Sequence, residues 1–250
     1  AKSQDSESGE MSVVAVGDLL KRKLLNEWHA YWLAEMYFWY TERLGFSTEN
    51  IRIREHVKTE LSHYSSATFD IDYNFPFGFK EILGVADRGS YDLEQHQKGA
   101  KSKLEYFDEA SKEKILPSVI EPSQGLDRLF LAMLFEAYVE DSDRGNIVLG
   151  LPSRITPAYC AVFPLVKNKE PVLNKSKEVY ELLKKDFTTN YDFAGTVGRR
   201  YARADETGVK YCITIDFESL EDDCVTIRDR DTTTQERVKI SDLRGKLFEG

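Results

Sequence analysis

Glu81, Glu121, Ser123 and Arg128 are the side chains of this 250-residue sequence whose types and spacing could do chemistry together. Three of them lie in one stretch, IEPSQGLDRLFLAMLFEAYVED at 120–141, a polar loop that feeds straight into an apolar segment. From Leu126 onward, Leu129, Phe130, Met133, Leu134, Ala137 and Tyr138 recur at spacings of three and four, which predicts a helix with a buried stripe. Ser123 fits as its N-cap, and Asp127 sits early in it. Arg128 falls in the first turn, beside unpaired backbone N–H groups and the positive end of the helix dipole, where a cation is normally disfavoured. A guanidinium added to such a helix start makes a seat for phosphate. The plainer alternative is a surface ion pair with Asp127 or Glu121. Gly125, lacking a Cβ, lets the backbone approach a ligand closely.

The elements around this stretch must hold those groups in place. Residues 77–85 read as a buried strand with one acid, Glu81, and a carboxylate there is costly unless it meets a cation or a metal. Lys80 and Arg88 are its alternative partners. Residues 118–121 read as the strand that delivers Glu121. Upstream, Leu19 to Leu44 predicts one helix that Gly45 stops. Its aromatics Trp28, Tyr31, Trp32, Tyr37, Phe38, Trp39 and Tyr40 lie at helical spacing and predict core packing. Strands are expected at 51–54 and 67–73, and a solvated loop with a short helix at 91–116. His56, Glu60 and His63 fall within eight residues, but their spacing matches no standard metal-ligand signature.

Two further stretches join the first in a family likeness. Glu121-Pro122-Ser123-Gln124-Gly125-Leu126-Asp127-Arg128 before an apolar helix resembles motif 3 of class II aminoacyl-tRNA synthetases, in the form found in homodimeric glycyl-tRNA synthetases. The run Phe79 to Arg88, FKEILGVADR, resembles that family's Glu-x-x-Gly-x-Ala-x-Arg strand, and Gly195 to Glu206, GTVGRRYARADE, resembles its C-terminal domain. The three stand in the family's order, and the likeness runs from about Trp28 to the end.

The resemblance implies a partial α+β antiparallel-sheet class II catalytic core followed by an α/β mixed-sheet anticodon-binding domain. It implies a cytoplasmic, homodimeric glycine–tRNA ligase with ATP and Mg²⁺ as cofactors, and with glycine and tRNA-Gly as partners. Glu121, Pro122, Ser123, Gln124 and Gly125 would contact glycine. Glu81, Ile82, Gly125, Leu126, Asp127 and Arg128 would contact ATP. Arg128 would neutralise the outer phosphates, and Glu81 would reach Mg²⁺, which keeps several waters and so needs few protein carboxylates. His63 would lie near the substrate cleft. Arg199, Arg200, Arg203, Arg228 and Arg230 would contact tRNA, unless Asp205, Glu206, Asp229 and Asp231 neutralise them locally. Motifs 1 and 2 have no counterpart here, so the likeness implies part of a longer enzyme that activates glycine poorly alone. Two other classes compete: a non-catalytic relative that binds nucleic acid, such as the accessory subunit of mitochondrial DNA polymerase, and a free-standing tRNA-binding module.

The net charge of −9 is unevenly spread. Residues 1–150 hold 17 Lys and Arg against 26 Asp and Glu, and residues 151–250 hold 17 of each. Nonspecific duplex binding needs a basic face, which makes the first part a poor candidate and the second a better one. Cys160, Cys212 and Cys224 are widely spaced with no CxxC pair, pointing to a reducing compartment and away from a zinc site or disulfide framework. No apolar run reaches the ~20 residues of a spanning helix, and the polar, acidic start is unlike a signal or transit peptide. Residues 1–15 are expected to be disordered, 16–150 to belong to the catalytic domain and 151–250 to the anticodon-binding domain. In the last, the expected order is strand 159–165, helix 174–187, a strand near Tyr191, helix 197–205, strands 210–216 and 224–229, and a terminal helix from Ser241.

Overall fold

A computed structural model of the chain describes residues 2–4, 11–56 and 66–248. It divides into two compact units, Ala1–Met133 and Leu134–Gly250. The first opens with strands β1 (Lys2–Gln4) and β2 (Met11–Val13), helices α1 (Val16–Lys21) and α2 (Glu27–Phe38), and strands β3 (Ile51–Glu55), β4 (Ala67–Phe75) and β5 (Gly78–Gly89). Helix α3 (Tyr91–Ala100), the small hairpin β6 (Tyr106–Phe107) and β7 (Lys114–Ile115), strand β8 (Val119–Gln124) and helix α4 (Leu126–Ala137) follow. Its main sheet runs β2-β1-β3-β4-β5-β8, antiparallel apart from the β1–β3 pair.

Alternation along β4 decides the two sides of this sheet. Phe69, Ile71, Tyr73 and Phe75 are at most 3% exposed and share one face, while Thr68, Asp70, Asp72 and Asn74 point the other way. Helix α2 packs toward β5 and β8. Its start is fixed by Asn26, whose side chain accepts from the His29 N–H at 2.9 Å and donates to Asp87 at 2.8 Å. His29 is buried, its ring edge-on to Phe69, with Nε2 2.9 Å from the Val85 carbonyl oxygen. That contact requires Nε2 to carry the proton.

The structure corrects several expectations here. Lys2–Gln4 and Met11–Val13 are paired strands rather than a disordered segment. The single helix expected from Leu19 to Leu44 is broken after Lys21, where Lys23 takes a left-handed φ of 57°, and restarts at the Asn26 cap. Its last turn, Trp39–Arg43, widens into a π-helix before Gly45 (φ +74°) ends it. Only part of its aromatic set reaches the core. Ala30, Leu33 and Tyr40 are buried, whereas Trp28, Tyr31, Trp32, Phe38 and Trp39 are exposed, Trp28 by 69%. Apolar residues on every side of a helix cannot all face one sheet, and α2 offers the sheet only its His29–Ala30–Leu33 side.

The second unit continues α4 into the hairpin β9 (Tyr138–Asp141) and β10 (Asn146–Leu149), turning at Gly145 (φ +67°). Strand β11 (Cys160–Pro164), helix α5 (Glu170–Leu183), strand β12 (Thr189–Tyr191), helix α6 (Val197–Glu206) and strand β13 (Tyr211–Ile215) come next. Helix α7 (Ser219–Asp222), strands β14 (Cys224–Asp229) and β15 (Gln235–Lys239), and helix α8 (Leu243–Phe248) complete it. The sheet order is β12-β11-β13-β14-β15, with β11 parallel to both β12 and β13 and the rest antiparallel. Val172, Val179 and Leu183 of α5, with Leu243 and Leu247 of α8, cover one face. Ala204 and Tyr201 of α6 cover the other, over Ala161, Phe163 and Cys212. A mixed sheet with helices on both faces is the architecture that alternating strands and helices imply.

The contact division falls at Met133/Leu134 rather than near residue 150, because the β9–β10 hairpin packs on α6. Helix α5 begins at Glu170, four positions ahead of the expected start at 174, with Pro171 in its first turn. Burial pushes the Cys160 thiol up to about 11 and the Cys212 thiol up to about 12, so neither carries a reactive thiolate near neutral pH. Among the described residues no helix is long and apolar enough to cross a membrane.

Burial lowers the pKa of His29 below the usual imidazole value, outweighing its bond to Val85. A group protonated more readily when unfolded contributes stability that is complete above the unfolded pKa, about 6.5, and lost as pH falls toward the folded value. His29→Gln should therefore flatten the loss of stability between about pH 6.5 and 5. Urea midpoints of both proteins across that range test this; parallel curves would assign the loss elsewhere.

Candidate active site

The polar face of the first sheet is built in cross-strand rows. Arg54 on β3 stands opposite Asp70 on β4, which stands opposite Gly84 on β5, which stands opposite Ser123 on β8. Arg52 stands opposite Asp72, and after a bulge Asp72 is opposite Glu81. In the next row Ala86 faces Thr68 on one side and Glu121 on the other. Glu81 and Glu121 therefore meet the same surface.

Asp70 and Asp72 are 1% and 2% exposed, and such carboxylates persist only when paired. Asp72 accepts from Arg52 Nε at 2.8 Å. Asp70 lies 2.5 Å from Arg54 Nη2 and 2.6 Å from His56 Nε2. His56 is thus committed to Asp70, while Glu60 and His63 lie outside the described residues. Sequence reasoning missed Arg52, Arg54, Asp70 and Asp72; two basic residues in a strand opposite two acids in its neighbour were the available signal.

Arg128, in the first turn of α4, turns back onto the sheet and donates from Nη1 to the Glu81 carbonyl oxygen at 2.6 Å. This is neither of the surface pairs considered for it. Both residues line one open cleft of about 630 Å³ with Arg52, Arg54, Asp72 and Lys80, walled by Phe75, Phe77, Phe79 and Leu131. Phe75 and Phe77 stack at 5.0 Å, and the Arg52 guanidinium lies 4.3 Å from the Phe79 ring centre. Flat apolar rings beside several guanidinium groups form a surface suited to a base and its phosphates. The sequence reading took Phe77 and Phe79 into one buried strand, whereas the chain turns at Pro76 and Phe77 between β4 and β5, which brings Phe75, Phe77 and Phe79 to the cleft wall.

Glu81 is not the buried acid expected: its residue is exposed on the cleft side, and its carboxylate makes no ion pair among the described residues. Partial desolvation, reinforced by the Asp70 charge, raises its pKa above the ordinary glutamate value. A cation in the cleft would favour its charged form.

Glu121 lies further along the same face. Arg88 Nη1 donates to Glu121 Oε2 at 2.6 Å, while Arg88 Nε and Nη2 hold both oxygens of Asp92 at the start of α3. One planar guanidinium thus fixes the orientation of two acids. Ser123 and Pro122 belong to β8, so Ser123 is not the N-cap; α4 begins directly after Gly125, whose carbonyl accepts from the Leu129 N–H at 3.0 Å. Gln124 pairs in register with Leu83, and Leu126 and Asp127 open the helix with exposed positions. Ile82 is 2% exposed, its side chain in the core.

In the second unit the five arginines separate into two kinds. Arg200 is 2% exposed and donates to the carbonyls of Pro164 and Gly195. Arg228 grips Asp205 with two bonds of 2.8 and 2.9 Å, and Arg230 donates to the Gly208 and Leu151 carbonyls. These three are structural, against the expectation of tRNA contact, because buried guanidinium groups must spend their donors inside the protein. Arg199 is exposed, and Arg203 is half-exposed beside Asp192.

Residues 159–249 match the family model described as the anticodon binding domain. Over 227 residues the chain is 48% identical to a protein named glycine–tRNA ligase from Clostridium kluyveri, an alignment covering 89% of this chain and 48% of that protein. A glycine–tRNA ligase from Mycoplasmopsis synoviae is 46% identical over 206 residues, 80% of this chain and 45% of its own length. One from Nocardia farcinica is 43% identical over 231 residues, 88% and 49% respectively. The chain spans about half the length of the curated relatives it matches. All three are ligases by name, which lends no support to the polymerase accessory subunit. The anticodon-binding domain and these identities together place the chain in the class II glycyl-tRNA synthetase family, to whose C-terminal portion it corresponds.

Proposed function

We propose that this chain supplies the nucleotide seat and part of the glycine seat of a glycine–tRNA ligase, and that its first unit is part of a class II catalytic core. The observation that carries this is the bond from Arg128 to the Glu81 carbonyl, which sets a helix-start guanidinium and a strand carboxylate on one cleft. In the reaction, the glycine carboxylate attacks the α-phosphate of ATP and releases pyrophosphate; a tRNA hydroxyl then takes the acyl group from the adenylate. Positioning and charge stabilisation provide most of such catalysis.

The residues present fit these ligands. Arg128, with Arg52, Arg54 and Lys80 nearby, offers several cationic groups to a triphosphate. Phe77 and Phe79 offer apolar faces to a base. Glu81, with its unpaired carboxylate, would hold Mg²⁺ with retained waters, and the ion would supply charge neutralisation along the phosphates. Glu121, aimed by Arg88, would hold the glycine ammonium, with the Ser123 hydroxyl as a second acceptor. Selecting glycine requires firm hold of the ammonium and a wall against larger side chains.

In the anticodon-binding domain, Arg199 and Arg203 remain as candidate tRNA contacts once the buried arginines are removed. A homodimer in the cytoplasm is the setting that the family likeness implies for the longer enzyme.

Calorimetric titration with glycine and with ATP tests the division of roles. Glu121→Gln should weaken glycine binding about tenfold while changing ATP binding little, and Arg128→Ala should do the reverse. Equal losses for both ligands in either variant would refute it. Arg88→Ala, which releases Glu121 and Asp92, should lower glycine affinity as Glu121→Gln does. Arg88→Lys should recover only part of it, because an ammonium cannot bridge two acids in one plane. Full recovery by lysine would show that charge alone matters there.

A further inference from the structure

A second cavity, of about 630 Å³, lies wholly within the second unit, where the parallel strands β11 and β12 begin. Parallel α/β sheets bind their main ligand outside the carboxyl ends of their strands, so this cavity is at the opposite end from the place where that rule puts a ligand. Its wall is aromatic. Tyr159, directly before β11, stacks on Phe187 at 5.2 Å and 13°, and Phe248 at the end of α8 stands 4.7 Å from Phe187. Phe248 is 64% exposed, so one ring of the three keeps a face open to another flat ring.

The rim is polar. Ser153 and Thr188 bring hydroxyls to the same space. Among the described residues the Ser153 hydroxyl has no partner, and that of Thr188 accepts from the Tyr159 N–H at 3.1 Å and can still donate. Arg154, in the short turn Ser153–Ile155, is exposed, and among the described residues its guanidinium has no ion pair or hydrogen bond. This separates it from Arg200, Arg228 and Arg230, whose donors are spent inside the same unit. Asp186, the acid on this rim, is held by Arg244 at 2.6 Å and does not compete for Arg154. Arg154 is the sole cation among the described residues that line the cavity. A single guanidinium answers a single phosphate, whereas a nucleic-acid strand calls for a row of cations.

We infer that this cavity binds a nucleoside monophosphate, with its base on Phe248, its ribose hydroxyls toward Ser153 and Thr188, and its phosphate on Arg154. The site belongs to the other unit from the proposed ATP and glycine seat, and the inference does not rest on that reading.

NMR titration of the 15N-labelled full chain tests it, with UMP as the probe because adenine would also be drawn to the proposed ATP seat. The expected result is saturable shifts in the amides of Arg154, Phe187, Thr188 and Phe248, and affinity for UMP lowered about tenfold by Arg154→Ala and about tenfold by Phe248→Ala. Both side chains are exposed, so thermal midpoints should stay unchanged. Uridine, which lacks the phosphate, and phenyl phosphate, which lacks the ribose and base, should each bind at least about tenfold more weakly than UMP. Absence of saturable shifts at millimolar UMP, or shifts confined to the first unit, would overturn the inference while leaving the proposed function standing. So would wild-type affinity in the Arg154→Ala chain, or phenyl phosphate binding as tightly as UMP. Much tighter binding of a short oligouridylate at the same amides would replace the mononucleotide by a strand. A lowered midpoint in both variants would make these side chains structural and would also overturn it.

Discussion

Two carboxylates buried in the middle of a sheet cannot stand without cations, and the first unit is arranged around that constraint. Asp70 and Asp72 alternate with Phe69, Ile71 and Tyr73 along β4, so the strand that forms the dry core also forces a charged row on the other face. Arg52, Arg54 and His56 on the neighbouring strand answer that row. Had the pairing slipped by one residue, those acids would have entered the core and the aromatics would have faced the cleft. Register and site are thus one problem with one solution. The structure fixes the chemistry-bearing face by making every other register intolerable.

On that fixed face, the candidate site groups are held by short local contacts rather than by long loops. Arg128 is tied to a backbone carbonyl of β5, which leaves the rest of its guanidinium to face the cleft. Arg88 divides its donors between Glu121 and Asp92, so the acid on β8 is aimed by a residue of the adjacent strand. Both arrangements limit the reorganisation needed when a charged ligand arrives, the condition under which electrostatic groups are most effective. The second unit uses arginine differently. Arg200, Arg228 and Arg230 close its interior.

Period and turn chemistry made much of this legible. The alternation along β4, the apolar stripe of α4 and the alternation of strands and helices after Tyr159 each specify their element directly, and the observed boundaries lie within a few residues of the expected ones. Helix α2 was misread because an apolar residue at every helical angle looks like core on all sides, and sequence cannot say which side the sheet takes. The strand β15, QERVK, escaped notice because an edge strand facing water carries no apolar alternation. Within the site, Glu81 and Arg128 were found through motif likeness, and their meeting in one cleft required the fold. The arginines of the second unit illustrate the opposite failure. A guanidinium buried against carbonyls and one waiting for phosphate have the same letter, and only their surroundings distinguish them.

The order of strands in the second sheet bears on how the chain is made. All five residues of β11 are buried, and both of its neighbours, β12 and β13, come later in the sequence. Emerging from a ribosome, Cys160 to Pro164 would wait unpaired until α5 and β12 were complete, and β13 could join only after α6 as well. Parallel partners separated by crossover helices form slowly and leave an apolar edge uncovered meanwhile. The strand with every residue buried is therefore the one that waits longest for its partners in this sheet, which makes the yield of this unit sensitive to translation speed and chaperone supply.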